Sequence, residues 1–437
     1  VRGYPFGNAG AQMLGYVGEA GPEDVDKNGR PYASSTLIGR AGLEWQYNQY
    51  LEGTNGSKVI EVNAAGQPVN YTGGAAAISG NNISLTVDSA LQRAAENAVE
   101  AQVNILHGMG IFPTGASVVA VDPNSGAILA MVSWPSFDPN QFSRGISSEE
   151  WDKIINNKNH PLQNRNISSM YPPGSTFKLL MALEYIREHP TDWQDFRFQC
   201  KGEYVDPSNP ANVVHCYNNE VHGTVNLESA IAQSCNSAFA FIGSEIDVNR
   251  LQSLAEDFYY NKDLSIGLPS KAGRFSLTAD SPTWLKMQSG IGQGETLCSP
   301  LQNLCMVSAI ANHGTLIYPT ILSEVKSKEG TVVHHFPKGE EIPLLSSSES
   351  DALKQFMRSV VTEGTASALK TKAYQVCGKT GSAQVKEGGK LKTNAWFVGF
   401  APMDDPKLAV CVLVEDGETG GRTAAPLARE LFDLYLK

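Results

Sequence analysis

The segment Tyr171-Pro172-Pro173-Gly174-Ser175-Thr176-Phe177-Lys178 leaves this chain few options. Two prolines and a glycine end whatever element precedes them. An apolar run follows at once, with Leu179, Leu180, Ala182, Leu183 and Ile186 spaced for a helix. Ser175 therefore falls at a helix N-terminus, where the partial positive charge favours a developing anion. Lys178, three residues on, shares its face. A serine is a poor nucleophile without a neighbouring base, and a lysine serves as one when burial lowers its pKa. Ser-x-x-Lys alone is weak evidence, because Ser323/Lys326 and Ser367/Lys370 repeat the spacing. Each could equally be a capped helix with an exposed lysine.

Two further motifs change the weight of the first. Ser234-Cys235-Asn236 follows an amphipathic run over 227–232. Lys379-Thr380-Gly381-Ser382 occurs once and closes a strand-like segment. Ser-x-Asn by itself is also weak, since Ser79-Gly80-Asn81 matches it. Ser-x-x-Lys, Ser-x-Asn and Lys-Thr-Gly in that chain order form a known acyl-transfer set.

The rest of the chain has to carry such a site. At 437 residues it has room for two or three domains, and 41% hydrophobic against 18% charged residues is ample for a core. No apolar run approaches the ~18–20 residues that span a bilayer. The formal charge is −11, with no Lys/Arg block, which argues against binding nucleic acid. Residue 1 is Val and no targeting segment is present, so the chain reads as a trimmed fragment.

Residues 1–75 are rich in Gly, Asn and Tyr, with a helix expected over 41–53 and a strand over 58–63. The small-residue stretch 73–82 is the boundary candidate, dividing the chain into 1–75 and 76–437. Beyond it come a strand over 83–88 and a helix over 90–106. A hairpin over 117–122 and 127–133 turns at Pro123-Asn124-Ser125-Gly126. Late strands fall at 374–379, 394–401 and 408–415, before a helix over 425–436 with Leu427, Leu431 and Leu434 on one face. This order predicts an α+β fold, an antiparallel sheet covered by helices.

The motifs resemble those of class B penicillin-binding proteins, the membrane-tethered peptidoglycan D,D-transpeptidases. The likeness covers nearly the whole chain. Tyr16-Val17-Gly18-Glu19, Gly42-Leu43-Glu44 with Gln46-Tyr47, and Glu61-Val62-Asn63 resemble the family's N-terminal pedestal or dimerisation module. Gly290-Ile291-Gly292-Gln293-Gly294, Gly364-Thr365-Ala366 and Trp396-Phe397-Val398-Gly399-Phe400-Ala401 resemble its catalytic domain. Trp151, Pro161-Leu162-Gln163-Asn164-Arg165 and the Tyr-Pro-Pro-Gly lead look more like the elongation-type enzyme, penicillin-binding protein 2, than the division-type one. The resemblance implies a sheet domain with an all-helical part. Ser175 would be the nucleophile toward a D-Ala-D-Ala stem peptide and Lys178 its base. Ser234 would bridge Lys178 and Lys379, and Asn236 would bind the substrate amide. Thr380 and Ser382 would hold the terminal carboxylate. Gly381 would let the strand approach, and the N–H groups of Ser175 and Ser382 would form the oxyanion hole. It further implies β-lactams as covalent inhibitors, a glycosyltransferase and other wall-synthesis proteins as partners, and no cofactor for catalysis. The expected location is the outer face of the cytoplasmic membrane, with an N-terminal anchor outside this chain. Two rival enzymes use the same chemistry. A class D-like serine β-lactamase or sensor also carries Ser-Thr-Phe-Lys, but typically has Ser-x-Val where this chain has Ser234-Cys235-Asn236. A D,D-carboxypeptidase would use water as acceptor.

The cysteines are unevenly spread. Cys200, Cys216, His222 and Cys235 form Cys-x15-Cys-x5-His-x12-Cys, a donor set suited to tetrahedral zinc. If Ser234 and Asn236 face the substrate, Cys235 faces away from it. The resemblance includes relatives with a metal in this region. A Cys200–Cys216 disulfide and an ordinary buried thiol at Cys235 are the alternatives, and His215 is a rival to His222. Cys298, Cys305, Cys377 and Cys411 lie in apolar surroundings and are expected in the core.

Overall fold

The computed structural model describes residues 2–26, 29–33 and 36–437. Its centre is a five-stranded sheet made from two distant stretches of chain. In chain order the strands are β1 (Gly115–Val121), β2 (Ile128–Trp134), β3 (Cys377–Glu387), β4 (Lys390–Ala401) and β5 (Leu408–Glu415). They lie in the order β3-β4-β5-β1-β2, every neighbour antiparallel. All of β1 and the first seven residues of β5 are buried. Their near-continuous apolar sequence is what a strand covered on both faces requires.

The covering layers are helical. Pro300–Ala311 is buried along its whole length against β1, β4 and β5. Ser89–Gly108 packs on β2 and on the terminal helix Ala425–Leu436. The first of these begins where Asp88 accepts from the Ala90 and Leu91 N–H groups, at 2.8 and 3.0 Å. In the terminal helix Leu427 and Leu431 are buried with Ala428 and Phe432, while Leu434, in the last turn, is 52% exposed. The architecture is α+β, and the helices Lys178–Glu188, Leu227–Ala232, Asn236–Glu245 and Val248–Asp257 belong to a mainly helical part, which also holds the short strand pairs Phe198–Cys200 with Gly223–Val225 and Glu203–Val205 with Val213–His215 rather than being all-helical as expected.

Two further expectations change. The strand expected over 374–379 starts at Cys377 and runs eight residues further, through the Lys-Thr-Gly motif to Glu387. Residues 380–387 show no apolar alternation, but register with β4 holds them extended, Gly381 opposite Trp396 and Ser382 opposite Ala395. The motif therefore lies within a strand that forms one edge of the sheet. The helix expected over 41–53 is two helices, Gly42–Gln46 and Asn48–Leu51, parted where Tyr47 adopts φ −115°, ψ 20°.

The N-terminal residues form short pairings, Val17–Glu19 with Leu37–Gly39, and an exposed hairpin, Ser57–Val62 with Pro68–Ala75. The hairpin takes the first residues of the 73–82 stretch. Asn82–Leu85 then pairs with Leu322–Lys326. Among the described residues no helix is long and apolar enough to cross a membrane.

Candidate active site

Ser175 sits in a 3-10 turn, Gly174–Thr176, directly before the helix Lys178–Glu188. Gly174 has φ +55°, and a Cβ there would come within 3.2 Å of the Ala383 Cβ on β3. Glycine thus lets the serine turn lie on the sheet. The turn is held from behind. Thr176 donates to the Pro173 carbonyl at 2.8 Å and accepts from Asn303 at 2.9 Å. The Phe177 ring packs between Phe275 and Tyr260.

Lys178 is fully buried. Its Nζ donates to the Asn236 Oδ1 at 2.7 Å and the Ser234 carbonyl at 2.8 Å, and lies 3.4 Å from the Ser234 Oγ. Burial pushes its pKa down to about 8. An uncharged amine can keep both short bonds and still present a lone pair. In the other two Ser-x-x-Lys pairs the serines are exposed, and Ser323 lies in a strand rather than at a helix start.

Ser234 has φ +57°, an uncommon backbone for a side chain of this kind. That conformation ends the helix Leu227–Ala232 and lets Cys235 cap the next, Asn236–Glu245, by accepting from the Ala238 N–H at 3.4 Å. Ser234 Oγ is 2.9 Å from the Nζ of Lys379, so one hydroxyl stands between two buried lysines. Burial, and then the charge of Lys178, hold Lys379 well below the ordinary lysine range. Asn236 is fixed at both ends, its Nδ2 donating to the His215 carbonyl at 2.9 Å. On β3, Thr380 hydrogen-bonds Thr365, and Ser382 Oγ accepts from the Gly420 N–H at 3.2 Å. Gly381 lies against Pro173 and Thr176 of the serine turn.

Glu415, which lies in none of the quoted motifs, ties together residues that do. The buried Arg165 guanidinium is 2.9 Å from the Glu415 carboxylate, which also accepts from the Tyr171 hydroxyl at 2.7 Å. Tyr171 packs edge-on to Trp396, whose indole N–H reaches the Pro172 carbonyl at 3.1 Å. The two residues before Pro173 are thus pinned to the sheet. Arg165 and Glu415 are 250 residues apart in sequence, so no local signal joins them.

Behind Ser234 and Asn236, the donor atoms of Cys200, Cys216, His222 and Cys235 lie within 4.8 Å of one another. Sγ separations are 3.7 Å for Cys200–Cys216 and 3.8 Å for Cys216–Cys235, and His222 Nδ1 is 3.3 Å from the Cys200 Sγ. Tetrahedral zinc with bonds of about 2.3 Å places sulfurs about 3.8 Å apart, so the donor set fits that ion. The other ring nitrogen of His222 faces Glu220 at 3.8 Å, as metal-bound imidazoles commonly face a carboxylate. Hydrogen bonds from Cys235 and Ser237 favour the thiolate at Cys216. All three cysteines are free here, and His215 points to Glu203 at 3.3 Å rather than to the thiols. Cys298, Cys305, Cys377 and Cys411 are buried in the core.

Two buried amines converging on one hydroxyl beside a helix-start serine meet no packing need. Such an arrangement is chemically able to supply a base and a proton relay to a neighbouring hydroxyl, the equipment of active-serine acyl transfer. A family model for the penicillin binding protein transpeptidase domain matches residues 116–433, and one for the penicillin-binding protein dimerisation domain matches residues 1–85. The peptidoglycan D,D-transpeptidase MrdA of Acinetobacter baumannii is 31% identical, the match covering 100% of this chain and 66% of the relative. The chain thus spans about two thirds of that relative's length. The solved structure of penicillin-binding protein 2 of Pseudomonas aeruginosa in complex with WCK 5153 is 30% identical with a TM-score of 0.81, covering 100% of this chain and 91% of that one. A chain from a peptidoglycan synthase complex that coordinates polymerization and crosslinking is 30% identical with a TM-score of 0.86, covering 99% and 76%. The chain belongs to the penicillin-binding protein transpeptidase family, in its class B, penicillin-binding protein 2-like branch. Its catalytic domain is a serine-type peptidoglycan D,D-transpeptidase domain.

Proposed function

We propose that Ser175 carries the acyl group during cross-linking of peptidoglycan stem peptides. Neutral Lys178 takes the Ser175 proton as Oγ attacks the carbonyl between two D-alanines. The developing oxyanion accepts from the N–H groups of Ser175 and Ser382, an interaction often worth about 3 kcal/mol per donor. The C–N bond breaks, and the leaving amine takes its proton from the Lys178–Ser234–Lys379 relay. This leaves an ester on Ser175. An amine of a second stem peptide attacks the ester, forms the cross-link and returns the serine proton. Asn236 has a second N–H beyond the one on His215, available to a substrate carbonyl. Thr380 and Ser382 bind the terminal carboxylate, and Lys379 supplies positive potential to it. β-Lactams enter as donors and stop at the ester.

The observation that carries this reading is the Ser234 hydroxyl between the two buried amines. Replacing Ser175 by Ala is the direct test, because covalent labelling by a fluorescent penicillin should vanish. Labelling that persists would move the nucleophile elsewhere, with Ser323 and Ser367 next in line.

On this reading residues 1–75 are a positioning and partner-binding module and 76–437 the transpeptidase domain. The exposed apolar residues Val59, Ile60, Val62, Val69 and Tyr71 of the hairpin suit protein contact. Its partners are a peptidoglycan glycosyltransferase and other wall-synthesis proteins, and its place is the outer face of the cytoplasmic membrane, held by an anchor outside this chain. The likeness to penicillin-binding protein 2 supports a part in wall elongation, with sporulation and division the alternative roles. Zinc held by Cys200, Cys216, His222 and Cys235 would tie the 200–222 segment to the Ser234 turn. It would be structural, and no catalytic step runs through it.

A further inference from the structure

Gln293, in the loop after the helix Thr283–Gly290, has no part in the chemistry above. Its side chain reaches the free edge of β3. In the amide orientation that satisfies both groups, Nε2 donates to the Gln384 carbonyl and Oε1 accepts from the Gln384 N–H, each at 3.1 Å. Within an antiparallel strand the N–H and C=O of one residue point to the same edge, and successive residues point to opposite edges. Thr380, Ser382 and Gln384 therefore share the edge that β4 leaves free. The Lys379 Nζ, donating to the Thr380 carbonyl at 2.9 Å, marks the same edge.

The loop that carries Gln293 is tied to the nucleophile. The Gly292 carbonyl accepts from the Gly174 N–H at 2.9 Å, and the Gln293 N–H donates to Gln288 at 3.0 Å. A Cβ on Gly292 would sit 2.0 Å from the Gly174 carbonyl oxygen, so the loop packs directly on the serine turn. One end of this loop therefore abuts Ser175 while its glutamine occupies the strand.

We propose that Gln293 is a register stop that sets how much of a donor peptide the strand can read. This rests on the acyl-transfer reading, in which the reactive carbonyl lies on the Ser382 N–H. A donor extending the antiparallel sheet exchanges both backbone bonds of that one residue with Ser382. The donor residue two positions nearer its N-terminus then falls opposite Gln384, where both backbone groups are already taken. Strand pairing ends at Ser382. The enzyme thus selects donors by their C-terminal end, and an extended backbone behind it adds no affinity through the strand.

The test uses N-acyl-D-alanyl thioesters lengthened by one, two or three N-terminal residues. Ser175 attacks the thioester carbonyl, the C–S bond breaks and the released thiolate is measured. The readout is the ratio of kcat/KM between long and short donors within one variant, which a partial loss of folding scales equally. In the unaltered chain that ratio should stay near one. In Gln293→Ala it should rise about tenfold when the residue opposite Gln384 is added, the effect of one regained pair of backbone bonds. Gln293→Glu keeps the acceptor but not the donor and should rise less, and it carries the test if the alanine variant does not fold. A ratio near one in both variants, or a rise already present in the unaltered chain, overturns the inference. Thiolate release that survives Ser175→Ala would instead overturn the acyl-transfer reading beneath it.

Discussion

Lys379 donates to the Ser234 hydroxyl at 2.9 Å, across 145 residues of sequence. That bond joins the edge strand of the sheet to the mainly helical part and completes the path from Lys178. Removing the hydroxyl tests whether the path carries protons. Ser234→Ala should slow acylation by penicillin about 10²-fold, within the range for positioned acid–base groups, while the label still lands on Ser175. A change of less than about threefold would leave Ser234 as a spacer.

Burial sets the pH response of the same relay. Lys178, lowered to about 8, is protonated below that pH and cannot accept the Ser175 proton. The rate of penicillin acylation should therefore climb with pH through about 8 and then level, and fall about tenfold per unit on the acid side. The check is the second-order labelling rate between pH 6 and pH 9.5. A flat profile would show that Lys178 is not the titrating base.

Glu415 anchors the segment before the nucleophile. Glu415→Gln keeps an acceptor for Tyr171 but leaves the Arg165 charge, 3% exposed, without its carboxylate. Breaking a buried pair from one side costs about 3–5 kcal/mol. The variant should lose thermal stability on that scale, and adding Arg165→Met should recover a large part of it. Equal stability of Glu415→Gln and the unaltered chain would contradict the assignment.

Metal analysis with thiol counting decides the cysteine cluster. Purified protein should carry about one zinc per chain, with Cys200, Cys216 and Cys235 resisting a thiol reagent until a strong chelator is added. Absence of zinc with two blocked thiols would establish a Cys200–Cys216 disulfide instead.

Much of this was legible in the sequence, for reasons that differ by residue. Ser175 and Lys178 are neighbours on one turn, so spacing alone places them together. The strand Leu408–Glu415 follows from an unbroken apolar run, and the helix Ala425–Leu436 from the helical spacing of Leu427 and Leu431. The extension of β3 to Glu387 was not visible, because its residues are held by pairing with β4 rather than by their own pattern. Tyr47 divides a helix that its neighbours' spacing would continue. Gln293 and Glu415 act across 91 and 250 residues respectively, at Gln384 and Arg165, where only the folded chain brings partners together.

Intact mass after penicillin treatment, followed over hours, is the most direct measurement of the central claim. One adduct per chain should form, map to Ser175 and persist, and it should be absent from Ser175→Ala. An adduct on another residue, no adduct at all, or an adduct that turns over rapidly to free hydrolysed drug would contradict a Ser175 transpeptidase.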